Sequence, residues 1–344
     1  MEYGPSPENP AIALEWLKEH KSKFRLFING KWCEAKSSKF FSTDNPANGK
    51  KLASISEAGK DDINQAVSAA KRSFPKWKTL SGHERARYLY ALTRQLQKHS
   101  RLFAVLETLD NGKTIRETRD IDIPLVIRHF YHHAGWAQLL ENEFPEHTAI
   151  GPVGQIIPWN YPLLLMAWKT APALAAGNTI VVKPSEVTPL SIMRWVEVAC
   201  NHLPKGIINM VAGYGHTGAA LVEHPDTRVI AFTGSVETGK KIAAMAAVQL
   251  KKTSLELSGN DPIIICDDVD VGIAAKGTAW GGLLNAGQVC TSLERVFVME
   301  SIADKFTEAV VEEAKKVRLG DPMHGKTAVS YTHLRAHETL RYLV

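Results

Sequence analysis

Short apolar runs alternate with amphipathic stretches in the second half of the chain, from about residue 150. Five runs rich in branched side chains predict strands at 155–157, 179–182, 207–211, 229–232 and 262–265. The segments between them carry helix-start signals, such as Thr188-Pro189 and the run GAALV at 218–222. Because the strands are apolar throughout, they predict a parallel sheet that is buried on both faces.

The first 140 residues show a different pattern. Residues 25–56 predict short strands with turns, including a hairpin at Asn29-Gly30. A helix is predicted over 61–76, with its end set by a proline, Pro75. A capping box at 81–84 opens an amphipathic helix that runs to about residue 99, and further helical stretches follow to about residue 140.

Composition indicates an ordinary globular protein without a nucleic-acid or membrane partner. The chain has 344 residues, enough for two domains, and 44% are hydrophobic. The net charge of +5 comes from interspersed charges with no basic block, which is typical of a solvated surface. No apolar run approaches the ~20 residues that a membrane span needs, and residues 1–7 have no signal-peptide pattern.

The four cysteines, Cys33, Cys200, Cys266 and Cys290, lack the spacing of a metal site. Nor do they form the pattern of a disulfide framework, so we expect a reducing, cytoplasmic location. Free cysteines are most often small buried hydrophobic residues, and Cys33, Cys200 and Cys266 are interpreted in that way.

Three strings carry candidate chemistry. Cys290 lies among small residues in LNAGQVCT at 284–291, which suits a nucleophile, and Glu256 in LELSG could serve as its base. Asn160 in IPWNYP supplies an amide for a developing oxyanion. Taken singly, each residue has an ordinary alternative: a buried cysteine, a solvated carboxylate and a turn-forming asparagine.

Two turns suit a dinucleotide. The strings GYGHTG at 213–218 and FTGS at 232–235 each follow a predicted strand and open a helix, so their N–H groups could face phosphates. A plain turn that needs glycine for its geometry is the alternative at 213–218. Lys183 and Glu186 follow another strand, where ligands of open α/β sheets bind, although an exposed pair there is also ordinary.

Together these strings resemble the motifs of the NAD(P)-dependent aldehyde dehydrogenase superfamily, over roughly residues 25–325. The resemblance implies that Cys290 is the nucleophile, Glu256 the general base and Asn160 an oxyanion donor. It implies NAD as cofactor rather than NADP, because Glu186 at the adenosine ribose would repel a 2′-phosphate. The implied cofactor-binding residues are Ile157, Pro158, Trp159, Lys183, Glu186, Gly213, Phe232, Gly234, Ser235 and Leu257, with the phosphates at Gly234 and Ser235 and the adenine side near Gly213.

The implied activity is NAD-dependent oxidation of a small-molecule aldehyde to a carboxylic acid, through a cysteine thiohemiacetal and a thioester. One alternative is an enzyme in which coenzyme A accepts the acyl group, although such an enzyme does not need Glu256. The other is a catalytically incompetent scaffold fragment with the same fold.

The implied fold is α/β, with a Rossmann-like parallel-sheet cofactor domain and an incomplete α/β catalytic domain. We expect an NAD-binding domain at 1–135 and 152–256, a shortened bridging segment at 136–151 and a truncated catalytic domain at 257–328. The full-length parent is expected to form homo-oligomers, whereas the shortened segment weakens that expectation for this chain. The string FYHHAGWAQL at 130–139 looks most like the family 16 branch.

Besides the shortened bridging segment, two further departures from the family pattern stand out. Ser258 and Asn260 replace a glycine and a lysine, a change that we expect the site to tolerate. After Pro322 the family's C-terminal portion, with its Glu-x-Phe-Gly motif, does not follow, and VSYTHLRAHET at 329–339 resembles a translated library adapter. We therefore interpret the chain as a C-terminally truncated fragment and 329–344 as a non-native tail.

Overall fold

Four of the five predicted apolar runs form neighbouring parallel strands in the computed structural model, which describes residues 9–330. The expectations for residues 1–7 and for 331–344 of the tail lie outside the described residues. The strands, in chain order, are β1 (Lys23–Phe24), β2 (Leu26–Ile28), β3 (Lys31–Cys33), β4 (Phe40–Asn45), β5 (Lys50–Ser56), β6 (Pro152–Ile156), β7 (Thr179–Lys183), β8 (Ile208–Met210), β9 (Val229–Thr233), β10 (Lys252–Glu256), β11 (Asp261–Ile265), β12 (Leu293–Val298), β13 (Leu319–Gly320) and β14 (Val329–Ser330).

Helices occupy most of the chain between the strands. They are α1 (Ala11–Glu19), α2 (Lys60–Lys78), α3 (Gly82–Lys98), α4 (Ser100–Asn111), α5 (Ile115–Glu117), α6 (Ile123–Glu143), α7 (Pro162–Ala175), α8 (Leu190–Ala199), α9 (Gly215–Glu223), α10 (Val236–Ala247), α11 (Val271–Leu283) and α12 (Ala303–Lys315). A π-helical turn, Thr118–Asp122, joins α5 to α6, and 3-10 turns lie at Leu284–Gly287 and Glu300–Ile302.

The main sheet has seven strands in the order β10-β9-β6-β7-β8-β2-β3. Its first five strands pair in parallel, and the hairpin β2–β3 extends it with antiparallel pairing. Asn29 and Gly30 turn this hairpin with φ of 53° and 77°, as their sequence predicts. The predicted Rossmann-like α/β fold is confirmed.

Helices cover the sheet in two groups. Helices α2 and α9 contact each other and the sheet, with α10 beside α9, while α7 and α8 form a second group backed by α3, α4 and α6. Every residue of β6 and β7 is buried. The apolar runs of these strands therefore reflect helices on both faces of the sheet.

The sequence prediction was wrong at several element boundaries. Helix α2 continues through Pro75 to Lys78, because Trp77 is buried and its indole N–H donates to Leu174 O at 3.3 Å. Helix α9 begins at Gly215, three residues before the expected start. Strand β10 was not predicted, because it lies at the sheet edge with mostly exposed side chains and so lacks an apolar run.

Residues beyond the main sheet form a smaller unit. The fifth predicted strand, now β11, pairs in parallel with β12 rather than joining the main sheet, and α11 packs against α12. Its buried core consists of Ile265, Ala275 and Phe306. The expected bridging segment at 136–151 and the expected catalytic domain at 257–328 stay predictions. Helix α6 crosses the first of these limits, because it runs unbroken from Ile123 to Glu143.

Helix α4 buries two carboxyl groups. Glu107 and Asp110 are at most 1% exposed. Burial, and then the neighbouring Asp122, raise the pKa of Glu107 to about 7, and burial raises the pKa of Asp110 to about 8. The ordinary values in an unfolded chain are about 4.3 and 3.9, so the folded state holds protons that the unfolded state has released.

This difference predicts that the protein loses stability as the pH rises. A group whose pKa is higher in the folded state contributes to stability below its unfolded-state pKa. That contribution is lost as the pH rises through its folded-state pKa. Each group is expected to lower the free energy of unfolding by about 1.4 kcal/mol for each pH unit between about pH 5 and 7. Asp110→Asn should remove one such contribution in urea unfolding measured from pH 5 to 8. The control is Asp120→Asn, whose carboxyl has a pKa that hydrogen bonding to Arg119 lowers. Profiles that stay parallel for wild type and Asp110→Asn would contradict this assignment.

Candidate active site

The loop after β6 carries the predicted oxyanion donor. Ile157 extends the pairing with β7 by donating its N–H to Lys183 O at 3.0 Å. Ile157 and Pro158 are buried, whereas Trp159 and Asn160 are half-buried where the chain turns into α7. The sheet therefore ends where the polar amide of Asn160 becomes accessible.

Lys183 is the last residue of β7 and lies, like Asn160, where the parallel strands have their carboxyl ends. It is buried, and its Nζ lies 3.4 Å from Glu186 Oε2. An ammonium and a carboxylate thus meet at the carboxyl end of a central strand, where open α/β sheets bind ligands.

Gly213 follows β8 in a backbone conformation that favours glycine, with φ of 156°. A Cβ there would lie 2.2 Å from Thr217 Oγ1, which itself donates to Ala58 O at 2.7 Å. Local packing alone therefore requires this glycine, as the plain-turn alternative expects, and a cofactor contact at Gly213 stays a prediction.

The turn after β9 opens α10. Ser235 caps the helix by accepting from Thr238 N at 3.3 Å. Gly234 lies against the buried Phe232 ring and donates its N–H to Glu256 O at 3.1 Å. Since that N–H is engaged, an anion at this turn would depend on the N-terminus of α10, whose dipole is positive at that end.

Glu256 ends β10 in register with Thr233 of β9. The next residue, Leu257, packs on Gly239 of α10, where a Cβ would lie 2.5 Å from the leucine side chain. Gly259 contacts the nucleophile segment, because a Cβ at this position would lie 1.9 Å from Cys290 O. The segments of the predicted base and nucleophile are therefore in direct contact. Ser258, which replaces the glycine of the family pattern, is exposed.

The loop before Cys290 has an unusual backbone. Asn285 and Ala286 have φ of 48° and 56°, in the left-handed region that non-glycine residues rarely adopt. Asn160 Nδ2 donates to Gln288 O at 3.0 Å, and Asn285 Nδ2 donates to Asn160 O at 3.2 Å. These bonds join the loop at 157–161, which carries the predicted oxyanion donor (the oxyanion loop), to the loop at 284–290, which carries the predicted nucleophile (the nucleophile loop).

The electrostatics of Cys290 oppose ionisation. Burial raises the pKa of this half-buried thiol, and the negative charges of Asp261 and Glu256 raise it further. A thiolate is the reactive form of cysteine, so a role as nucleophile would require positive charge or hydrogen-bond donors beside Cys290.

Sequence reasoning missed Lys169. Its Nζ donates to Thr233 Oγ1 at 2.5 Å inside the sheet–helix layer, and burial lowers its pKa to about 8 against the opposing effects of Glu256 and Cys290. The available signal was a single lysine in the apolar helix α7, because a buried charge persists only with partners.

The other three cysteines take no part in the contacts described above. Cys33 and Cys200 are half-buried, and Cys200 Sγ donates to Glu197 O at 3.0 Å. Cys266 is exposed, so its interpretation as a buried hydrophobic residue is wrong. It follows β11, whose last residue, Ile265, is the one residue of this strand that is fully buried in the small core.

Within residues 9–330 no helix is both long and apolar enough to cross a bilayer. Over the same residues, no three His, Cys, Asp or Glu side chains are grouped so that they could hold a metal ion.

Comparison with known proteins places this geometry in a family. The family model described as "Aldehyde dehydrogenase family" matches residues 32–342. An aldehyde dehydrogenase of Agaricus bisporus is 42% identical over 312 residues, which cover 86% of this chain and 62% of that protein. Retinaldehyde dehydrogenase 3 of Mus musculus is 38% identical over 344 residues, covering 95% of this chain and 67% of that protein.

Solved structures agree. A betaine aldehyde dehydrogenase from Staphylococcus aureus in complex with NAD+ superposes with a TM-score of 0.88 at 35% identity, covering 94% of this chain and 67% of that one. A point mutant of aldehyde dehydrogenase from Bacillus cereus gives a TM-score of 0.88 at 36% identity, with 94% and 68% covered. This chain spans about two thirds of the length of the relatives that it matches. It belongs to the aldehyde dehydrogenase family.

Proposed function

We propose that this protein oxidises a small-molecule aldehyde to a carboxylic acid with NAD+, using Cys290 as nucleophile. The observation that carries the proposal is the contact among three distant segments. Asn160 bonds to the nucleophile loop through Gln288 O, and Gly259, three residues after Glu256, packs against the Cys290 carbonyl. A nucleophile, a base and an oxyanion donor on adjoining segments suit acyl chemistry at a carbonyl.

The residues at the sheet edge fit a dinucleotide by their donor chemistry. Lys183 and Glu186 offer an ammonium and a carboxylate for ribose hydroxyls, and the N-terminus of α10 suits phosphates. Glu186 would repel a 2′-phosphate, which favours NAD over NADP. When bound, NAD+ would supply a hydride acceptor. The proposed contacts are Ile157, Pro158, Trp159, Lys183, Glu186, Gly213, Phe232, Gly234, Ser235 and Leu257.

In the first step, the Cys290 thiolate attacks the aldehyde carbon and a C–S bond forms. The carbonyl oxygen becomes an oxyanion of the thiohemiacetal. The Asn160 amide has two N–H groups; one donates to Gln288 O and the other is available to the oxyanion, together with the Cys290 main-chain N–H. Loss of hydride from the former aldehyde carbon then leaves a thioester on Cys290.

In the second step, Glu256 takes a proton from a water molecule that attacks the thioester carbon. The C–S bond breaks, the carboxylic acid leaves and Cys290 is restored. General-base assistance of this kind is commonly worth about 10²–10⁴-fold in rate. Lys169, buried near Glu256 and Cys290, supplies a positive charge to both steps.

Replacement of the nucleophile gives the first test. Cys290→Ala should lower NADH formation from propanal or benzaldehyde by roughly 10⁴-fold or more, because no covalent intermediate can form. NAD+ affinity, measured by calorimetry, should change little. Cys200→Ala, at another half-buried cysteine, is the matched control. Retained turnover in Cys290→Ala would refute the nucleophile, whereas cofactor binding without turnover in the wild type would favour the scaffold alternative.

Replacement of the base gives the second test. Glu256→Gln should slow acid release more than thioester formation, so that a burst of NADH precedes a steady rate lowered by about 10²-fold or more. Stopped-flow absorbance measures both phases. Glu312→Gln, an exposed glutamate on α12 paired with Lys315, serves as control. An unchanged deacylation rate would remove Glu256 as base, and acceleration of the wild type by coenzyme A would favour the acyl-transfer alternative.

A further inference from the structure

Three buried carboxyl groups lie within an eleven-residue stretch that the proposed reaction does not use. Glu107 and Asp110 lie on α4, and Glu117 ends α5; they are 0%, 1% and 8% exposed. Burying a carboxyl group is costly unless it makes hydrogen bonds. The hydrogen-bond partners of these three carboxyl groups therefore indicate their role.

Glu107 holds the oxyanion loop. Its Oε1 accepts from Leu163 N at 3.2 Å, at the second residue of α7. On the same helix, Asn111 Nδ2 donates to Trp159 O at 2.6 Å. The loop that contains Asn160 is thus tied to α4 on both sides.

Asp110 holds the loop after Lys183 and Glu186. Its Oδ2 accepts from Leu190 N at 2.7 Å, at the first residue of α8. Its Oδ1 accepts from Thr43 Oγ1 at 2.7 Å, and the same hydroxyl lies 3.3 Å from Val187 O. One carboxyl group therefore fixes both ends of the short segment from Val187 to Leu190.

Glu117 holds the nucleophile loop. Its Oε1 accepts from Asn285 N at 3.0 Å, where the left-handed backbone pair begins. Its Oε2 has no hydrogen-bond partner among the described residues. The bond therefore stabilises a strained backbone five residues before Cys290.

We propose that Glu107, Asp110 and Glu117 are positioning residues, each of which sets one loop of the active site by accepting a main-chain N–H. The inference rests on the proposed function for the identity of the loops, although the bonds do not depend on it. The acceptor oxygen is what matters, because a neutral carboxyl or an amide still accepts a hydrogen bond. Burial raises the pKa of Glu107 to about 7 and that of Asp110 to about 8, and it raises the pKa of Glu117 above its ordinary value. Amide replacements should therefore substitute for the acids, and alanine should not.

The test compares alanine and amide variants by hydrogen–deuterium exchange of the native protein. Glu107→Ala, Asp110→Ala and Glu117→Ala should each raise exchange by about tenfold in one segment only, the worth of one hydrogen bond. The segments are 159–165, 186–192 and 284–290, respectively. Glu107→Gln, Asp110→Asn and Glu117→Gln should restore wild-type exchange.

A functional split accompanies the exchange data. Asp110→Ala should weaken NAD+ binding by about tenfold and leave the Cys290 alkylation rate unchanged. Glu117→Ala should leave NAD+ binding unchanged and raise the Cys290 alkylation rate by about tenfold. Iodoacetamide should modify Cys290 faster in Glu117→Ala, because a looser loop exposes the half-buried thiol. Peptide mass spectrometry reads the rate at Cys290 itself.

Asp62→Ala is the matched control. Asp62 is a buried carboxyl group that caps α2; its two oxygens accept from Gly59 N at 2.9 Å and from Lys36 N at 3.1 Å, and neither partner lies in the three loops. It should lower stability without changing exchange at 186–192 or 284–290. Equal exchange changes in all three segments, or no change in a variant's own segment, would overturn the proposal.

Two outcomes are kept separate. If the wild type binds no NAD+, the proposed function fails, while the exchange and alkylation results still decide the positioning role. If the alanine variants do not fold, the wild type decides it: the amide protons of Leu190 and Asn285 should exchange slowly, and fast exchange at both would overturn the proposal.

Discussion

Parallel pairing of β6, β7, β9 and β10 is the constraint on which the candidate site depends. It brings the carboxyl ends of these strands to one edge of the sheet. Asn160, Lys183 and Glu256 come after or at the ends of three of these strands, although they are far apart in sequence. Antiparallel pairing would send Lys183 and Glu256 to opposite edges, and no loop of ordinary length would reunite them.

The proposed nucleophile does not come from this sheet. Cys290 follows α11, in the smaller unit, and reaches the edge through main-chain contacts rather than strand pairing. Gly259 lets two backbones approach closely, and Asn160 and Asn285 bond across the gap. The site therefore combines a stiff half, set by the sheet, with a half held by individual hydrogen bonds. Loss of one such bond is expected to change the position of the Cys290 thiol more than the positions of Lys183 and Glu186.

Much of this could be predicted from the sequence, for a physical reason. Buried parallel strands are apolar throughout, so β6, β7, β8 and β9 were evident, and the cap at Ser81 follows from local hydrogen bonding. The edge strand β10 has no such pattern, because solvent covers most of its side chains. The roles of Lys169 and Glu117 depend on partners more than 60 residues away, and such contacts leave no periodic signal along the chain.

The charge balance at Cys290 indicates when the thiol becomes reactive. Burial, Asp261 and Glu256 all raise its pKa, which favours the unreactive protonated form. Lys169 is the nearby buried cation, and its pKa of about 8 leaves it largely charged at neutral pH. In the proposed mechanism Glu256 activates the water that attacks the thioester, so this carboxylate is required although it raises the pKa of the thiol. Hydrogen bonds from the main-chain N–H groups of Cys290 and Thr291 lower the pKa, and positive charge that enters with a ligand would lower it further, since an adjacent cation favours the thiolate. Under the proposed mechanism, a cationic ligand beside Cys290 would therefore favour the reactive thiolate.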